Sequence, residues 1–292
     1  MKKGIFTSIL VITLALTIPI SSSQAVSVGD SFVYVVKKAH GEFSYSEGTA
    51  VTVSGETNKF RVGDTGVAVN SNLDIDVTVV GSSSVNFDIS SNDTVLKSAS
   101  NNWLSFGLGL IAASMYPFLM MGISTGGTTD PLDISKGVSL GDQWYIAPPS
   151  TDWDNLYDFY NDTANWAPFF AGFSNDEGTF NISSSATWYD DNETLALALV
   201  GLGTYSVSAE VTSLTIIHNV RFDYNVTSYT LQGYNMNTGI SGTYQGEDTK
   251  FNMVVQVAES SYTRGLGVPY IAFAFGALFS IGLIVVIKKR RK

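Results

Sequence analysis

The residues best suited to chemistry in this sequence are acids that lie beside aromatic rings. Residues 151–173 combine tryptophan, tyrosine and phenylalanine with four aspartates: Asp152, Asp154, Asp158 and Asp162. Two carboxylates that flank a glycosidic bond can hydrolyse it. One hypothesis is therefore a surface glycoside hydrolase that uses acids near the cluster from Trp153 to Trp166. Core packing of the rings with solvated acids is the favoured interpretation, because large aromatic side chains supply most core area.

Other candidate chemistry is sparse. Acidic spots at Asp74 and Asp76, and at 190–193, could bind Ca²⁺, but neither has the ligand spacing of an EF-hand loop. The two histidines, His40 and His218, lack the spacing of a zinc site, and the absence of cysteine excludes thiol catalysis. We therefore expect no catalytic residue, no metal and no cofactor, and a protein that is not an enzyme.

The C-terminus predicts a membrane anchor. Val268–Ile287 contains 20 residues without a charge, and a helix of that length spans about 30 Å, the thickness of the bilayer's hydrocarbon core. The basic run 288–292 follows, and basic segments stay on the cytoplasmic side. The alternative is a buried helix with a basic tail. The pattern favours one transmembrane helix over 268–287 with a cytoplasmic tail.

The N-terminus predicts export. Lys2 and Lys3 precede an uncharged segment that ends in the small-residue pattern Ser23-Gln24-Ala25. This order is typical of a signal peptide over 1–25, with an uncleaved anchor as the alternative. Residues 26–264 then form an extracellular domain at the cell membrane.

Charge and cysteine content restrict the partners and the source. All 26 Asp and Glu residues lie between the two terminal segments, which hold seven of the 16 Lys and Arg residues. So acidic an exterior repels nucleic acid and anionic lipid head groups. Zero cysteine in an exported chain of this size favours a prokaryotic, archaeal source.

Alternating polar and apolar residues predict several strands. Asp74–Val79 and Val85–Ser90 alternate strictly and flank the turn residues 81–84, which indicates a hairpin with one apolar face. Alternation also predicts strands over 205–212, 220–227 and 251–257. Asn and Gly residues in Tyr234–Ile240 predict a turn between the last two strands.

A second apolar segment, Trp103–Ile123, has no charge. It is long enough to span a membrane, but a second span would place the basic C-terminus outside. Gly107, Gly109 and Pro117 also weaken a straight spanning helix. We expect a buried or lid-like helix that needs cover on more than one side.

The chain also suggests two related halves. Gly141-Asp142-Gln143-Trp144 repeats the pattern Gly29-Asp30-Ser31-Phe32, a Gly-Asp pair, one spacer and an aromatic residue. Two related halves would then cover 26–125 and 137–264. Chance and common turn chemistry are the alternative. A related alternative for the fold is a pair of all-β sandwich domains that divide near 126–137.

Five Asn-x-Ser/Thr sequons are candidate glycosylation sites, of which two fall on the polar side of alternating strands. They are Asn92, Asn161, Asn181, Asn192 and Asn225.

The Gly-Asp-x-aromatic opening, its echo at 141–144, the Tyr-x-x-x-Thr-Gly motif at Tyr234–Gly239 and the basic-ended tail resemble archaeal cell-surface proteins. The resemblance is to the Asgard-type, mostly uncharacterised choice-of-anchor proteins with a single C-terminal anchor. The tail has Gly267-Val268-Pro269 in place of the Pro-Gly that often opens such anchors. The resemblance implies a cell-surface location and a β-rich architecture, and no activity.

These observations predict an α+β fold: a β-rich ectodomain with a curved antiparallel sheet packed on a long apolar helix, plus one C-terminal transmembrane helix. The excess of apolar surface at Trp103–Ile123 favours a non-enzymatic surface protein that binds an apolar or amphipathic ligand such as a lipid. The alternative is a structural or adhesive envelope protein with a cation-bridged acidic surface. The residues expected to line a cavity are Leu104, Phe106, Leu108, Ile111, Met115, Phe118, Leu119 and Met120.

Overall fold

The computed structural model describes residues 26–47, 51–125, 134–139, 141–167 and 179–264. The predicted signal peptide, transmembrane helix and basic tail lie outside these ranges, as do the side chains of Phe118, Leu119 and Met120. The strands are β1 (Ser31–Glu47), β2 (Val51–Thr57), β3 (Lys59–Val62), β4 (Thr65–Ala68), β5 (Asn72–Val80), β6 (Ser84–Ser91), β7 (Thr94–Asn102), β8 (Asn181–Tyr189), β9 (Thr194–Val207), β10 (Thr212–Asn225), β11 (Thr230–Tyr244) and β12 (Glu247–Thr263). The α-helices are α1 (Trp103–Thr125) and α2 (Trp153–Asn161).

The fold is β-rich and is built on one antiparallel sheet of ten strands. Its order is β7-β6-β5-β1-β12-β11-β10-β9-β8, with β2 paired to β1. Strands from both sides of residues 126–137 belong to this sheet. The long strand β1 joins the two sides, because it pairs with β5 along one part and with β12 along its length.

One face of the sheet is buried and the other is exposed. In β10 every second residue from Thr212 to Tyr224 is buried, and the residues between them are exposed or half-buried. The same alternation runs through β5, β11 and β12. Because side chains alternate across a strand, this pattern gives the sheet an inner face and an outer face.

A second layer covers the inner face. It contains α1, α2, the irregular segment 141–147 and the hairpin of β3 and β4. The irregular segment is joined to the sheet by backbone bonds, since Ala147 N–H donates to Tyr229 and Leu231 N–H donates to Tyr145. The expected packing of helical segments on one side of a sheet is therefore present among the described residues.

The predicted hairpin is confirmed, since β5 and β6 pair across a tight turn with Leu73, Ile75 and Val77 facing the core. A helix over Trp103–Thr125 is also present. It begins with a reciprocal cap in which Ser105 N–H donates to Asn102 Oδ1 and Asn102 N–H donates to Ser105 Oγ, both at 2.9 Å. In the described part of the chain, no helix is long and apolar enough to cross a membrane.

Two predicted strand boundaries are wrong. Tyr234–Ile240 is not a turn, because it lies inside β11, where Asn235 and Asn237 face outward and Tyr234 and Met236 face the core. The turn comes later, at Gln245 and Gly246, where φ is 49° and 84°. Turn propensity is local, and pairing on both sides of β11 overrides it.

The second error concerns 205–212. A single 3₁₀ turn, Ser208–Glu210, separates β9 from β10, and Val211 has φ of 50°. The alternation of 205–212 therefore spans two paired strands and their connection.

The two Gly-Asp pairs form similar turns, but different structures follow them in the chain. Gly29 has φ of 88° and Gly141 has φ of 82°, a conformation that favours glycine. Only the first pair leads into a strand, β1, whereas Trp144 and Tyr145 lie in the irregular segment that covers the sheet.

Candidate functional site

Helix α1 presents two apolar stripes to different surroundings. Phe106, Leu110 and Ala113 are spaced at i, i+4 and i+7 and are buried against the sheet. Leu104, Leu108 and Ile111 have the same spacing on another side of the helix. Leu104 is 68% exposed and Leu108 is 56% exposed. A second stripe of this kind is unusual on a helix in water, and it marks a candidate binding surface.

Helix α2 lies beside this second stripe, and a groove is present between the two helices. Asp152 caps α2 by accepting a hydrogen bond of 3.0 Å from Asn155 N–H, which fixes the start of the helix. Leu156 and Tyr160 then face α1, and the space between the helices has a volume of about 200 Å³. We call it the helix groove; its lining is Trp103, Leu104, Gly107, Leu108, Leu110, Ile111, Asn155, Leu156, Phe159 and Tyr160.

The expected cavity residues divide between the groove and the core. Leu104, Leu108 and Ile111 line the helix groove. Phe106 and Met115 are buried in the core, where Phe106 packs edge to face with Tyr224 at a ring distance of 5.6 Å. The open space that the three groove residues line therefore lies beside the helix, between α1 and α2.

A buried polar cluster holds α1 against α2 and the sheet. The hydroxyls of Ser114 and Tyr160 share a hydrogen bond of 3.1 Å, which joins the two helices under the groove. Tyr234, on β11, donates to the backbone carbonyl of Ala113 at 3.4 Å. Both tyrosines are fully buried, and burial raises the pKa of each hydroxyl, so both stay protonated and can donate.

His218 belongs to the same cluster. Its side chain is fully buried on β10, with Nδ1 at 2.7 Å from Thr238 Oγ1, and its ring also bonds the backbone of Ser114. Burial lowers the pKa of His218 to about 4, against the opposing effect of Ser114, and the ring is neutral at pH 7.

The cluster combines serine, histidine and tyrosine, yet Ser114 and His218 are both inaccessible to solvent. A nucleophile must reach its substrate, and here the hydroxyl of Ser114 is already bonded to Tyr160. The cluster therefore holds α1 to β10, β11 and α2, and it positions one wall of the helix groove. Sequence reasoning missed it, although His218 has the same strand parity as the buried Val220 and Phe222.

Asn101 anchors the other end of the covering layer. This fully buried side chain donates from Nδ2 to the carbonyls of Gln143 and Ile146, both at 2.6 Å. These bonds hold the irregular segment against β7, directly before α1 begins. The start of α1 thus follows an anchored part of β7, and the buried polar cluster holds the helix again at Ala113 and Ser114. The groove is built on this anchored helix.

The acids and rings of 151–166 occupy separate places. Trp153, Tyr160 and Trp166 are buried, whereas Asp154 and Asp158 are exposed on α2. Asp152 and Asp162 accept hydrogen bonds as helix caps. Trp153, Tyr160 and Trp166 therefore belong to the core, whereas Tyr157 and Phe159 are half-buried. Among the described residues no three His, Asp or Glu side chains are grouped so as to hold a metal ion.

The sequons lie on accessible surface. Asn92, Asn161, Asn181 and Asn192 are exposed, and Asn225 is half-buried at the end of β10. Three of the side chains already support local structure. Asn161 Oδ1 accepts from Ala186 N–H at 2.9 Å, Asn181 Nδ2 donates to the carbonyl of Thr179 at 3.0 Å, and Asn225 Oδ1 accepts from Thr227 and Ser228 N–H.

Comparison with models of known protein families and with curated proteins finds no match for this chain.

Proposed function

We propose that this chain is a membrane-anchored surface protein of the archaeal choice-of-anchor kind, with its ectodomain outside and its C-terminus in the cytoplasm. The uncharged segment 268–287 with its basic end and the signal-like N-terminus support this location. The extracellular side is also where the five sequons could be glycosylated.

Protease treatment of intact cells tests this topology. We expect digestion of the ectodomain and survival of a small C-terminal fragment, because the bilayer protects only the anchor and the tail. Protection of residues 134–264 would contradict the proposal and would support Trp103–Ile123 as a membrane span.

We further propose that the ectodomain is a non-enzymatic binding protein for a single-chain lipid. The observation that carries this proposal is the helix groove, since Leu104 and Leu108 remain largely exposed beside an apolar space of about 200 Å³. Small-molecule sites are concave and mostly apolar, with few polar groups. Burial of both leucines by an acyl chain would remove apolar surface from water, at about 25 cal/mol per Å².

The polar rim restricts the lipid's head group. Asn155 lines the groove with an amide, which can both donate and accept a hydrogen bond. Asp154 and Asp158 are exposed on the side of α2 that faces away from the groove. The chain as a whole carries a net charge of −10, which disfavours an anionic head group. The proposed ligand therefore has one acyl chain and an uncharged or zwitterionic head.

Gly107 offers a sharp test, because it lines the groove and a Cβ at this position would meet nothing within 4 Å. Gly107→Leu should fill the space and abolish binding of a monoacyl phosphocholine, measured by calorimetry on the full chain. Gly107→Ala is the matched control, which should retain binding and stabilise α1 slightly.

A monoacyl phosphate of equal chain length should bind more weakly than the phosphocholine. Equal binding by Gly107→Leu and the unchanged protein would contradict the groove as the site. Stronger binding of the phosphate would contradict the role given to the negative charge of the chain.

A further inference from the structure

The outer face of the sheet carries a second, polar recess. On β1 and β9–β12, the strand register places Lys38, Gln256, Asn235, Arg221 and Ala198 in one row. The next row places Val254, Asn237, Asn219 and Val200 side by side. These residues surround a space of about 440 Å³. Neighbouring strands lie about 4.8 Å apart, so the five-strand row is about 19 Å wide.

Apart from Arg221, the polar side chains of this recess are not used by the fold. Lys38, Asn219, Asn235, Asn237 and Gln256 make no hydrogen bond or ion pair with another described residue. All but the half-buried Gln256 are exposed. Each amide offers donors and an acceptor side by side, a combination that matches a ligand rich in hydroxyl or acetamido groups.

A neighbouring recess extends the surface towards β8. It has a volume of about 330 Å³ and shares Arg221 with the first; Tyr189, Asp223 and Gln232 also line it. Arg221 Nε donates to both oxygens of Asp223, at 2.9 and 3.1 Å, which holds both planar groups in place. The guanidinium lies 5.7 Å from the ring centroid of Tyr189, which is 44% exposed.

Charge and topology select the class of ligand. The two recesses contain two cations, Lys38 and Arg221, and two carboxylates, Asp190 and Asp223, so this area is neutral on a chain of net charge −10. A neutral surface does not attract an anionic polymer. Strands β9–β12 are paired on both sides, so no free edge is present at the recess for a peptide to add as a strand.

We infer that this outer face binds a neutral oligosaccharide, with the amides on its hydroxyl or acetamido groups and Tyr189 at one end. The site lies on the opposite side of the sheet from α1 and α2. It is therefore independent of the lipid site, and either one can fail without affecting the other.

The test uses the full chain in lipid nanodiscs and tetramers of mannose, of N-acetylglucosamine and of galacturonate, with saturation-transfer NMR and calorimetry as readouts. At least one neutral tetramer should bind more tightly than the acidic tetramer. Replacement of the cross-strand pair Asn219 and Asn237 by alanine should weaken that binding roughly tenfold or more, since each lost hydrogen bond costs about 1 kcal/mol.

The cross-strand pair Thr215 and Ser241 provides the matched control. It lies on the same strands and the same exposed face, about 13 Å along β10 from Asn219, and its replacement by alanine should leave binding unchanged. Should the first double variant unfold, Gln256→Ala gives a milder change in the same recess. The inference is overturned if no neutral tetramer binds, if the galacturonate tetramer or a polar peptide binds in preference, or if both double variants lose binding equally.

Discussion

Replacement of Trp144 by alanine is expected to lower the free energy of unfolding by about 4 kcal/mol, the range found for truncation of large buried aromatic residues. Trp144 is fully buried; it stacks on Tyr145 at a ring distance of 4.2 Å and packs on Tyr234 at 4.9 Å. Its Nε1–H donates to the carbonyl of Gly141 at 2.9 Å, and its own carbonyl accepts from the hydroxyl of Tyr224. Truncation would leave a cavity between the irregular segment and the sheet.

Guanidinium denaturation measures this loss, and Trp188→Ala is the control. Trp188 is only partly buried and stacks on Tyr157 at 5.9 Å near the edge of the sheet, so its removal should cost much less. Equal losses for the two variants would show that the irregular segment does not contribute to the core as described.

Acidification from pH 6.5 to pH 4 is expected to remove about 3 kcal/mol of stability through His218 alone. Burial lowers the pKa of the folded side chain to about 4, below its ordinary value of 6.5, so the unfolded chain binds the proton more readily. Stability from this group is therefore complete above pH 6.5 and is lost as the pH falls towards 4.

The difference between the protein and its His218→Gln variant isolates this effect. Glu259 titrates in the opposite sense, because burial raises the pKa of its carboxyl to about 7 and its contribution grows as the pH falls. That contribution cancels in the difference. If the variant does not fold, NMR of the histidine ring protons gives the pKa directly, with assignment by a His40→Gln variant. A pKa of 6.5 or above for His218 would contradict the buried, neutral ring.

The sequence predicted the local parts of the fold because strand alternation records which side of a strand is buried. It identified the hairpin of β5 and β6 for this reason, whereas the helix after Trp103 was predicted from its long uncharged apolar run. It failed at Tyr234–Ile240, where Asn and Gly have turn propensity but lie between two long partner strands. Pairing between distant strands is not visible in a local window, so propensity gave the wrong answer there.

The helix groove could be predicted only in part. An uncharged helix indicated a surplus of apolar surface, but not which stripe would face the sheet. That choice depends on α2, which begins 28 residues after the end of α1 and lines the same groove as Leu108 and Ile111 through Leu156 and Phe159. The cluster of Ser114, Tyr160, His218 and Thr238 likewise joins four separate elements. The one local signal for this cluster was that His218 lies on the same face of β10 as the buried Val220 and Phe222.

The central claim is that the exposed stripe of α1 binds an acyl chain. The most direct measurement is photo-crosslinking of the full chain, in its own membranes, with a monoacyl phosphocholine that carries a diazirine on the chain, followed by peptide mapping. The account predicts labels at Leu104, Leu108 or Phe159, and their loss in Gly107→Leu but not in Gly107→Ala. Labels confined to other exposed apolar residues, such as Leu202 and Ile217 on the outer face, would contradict it.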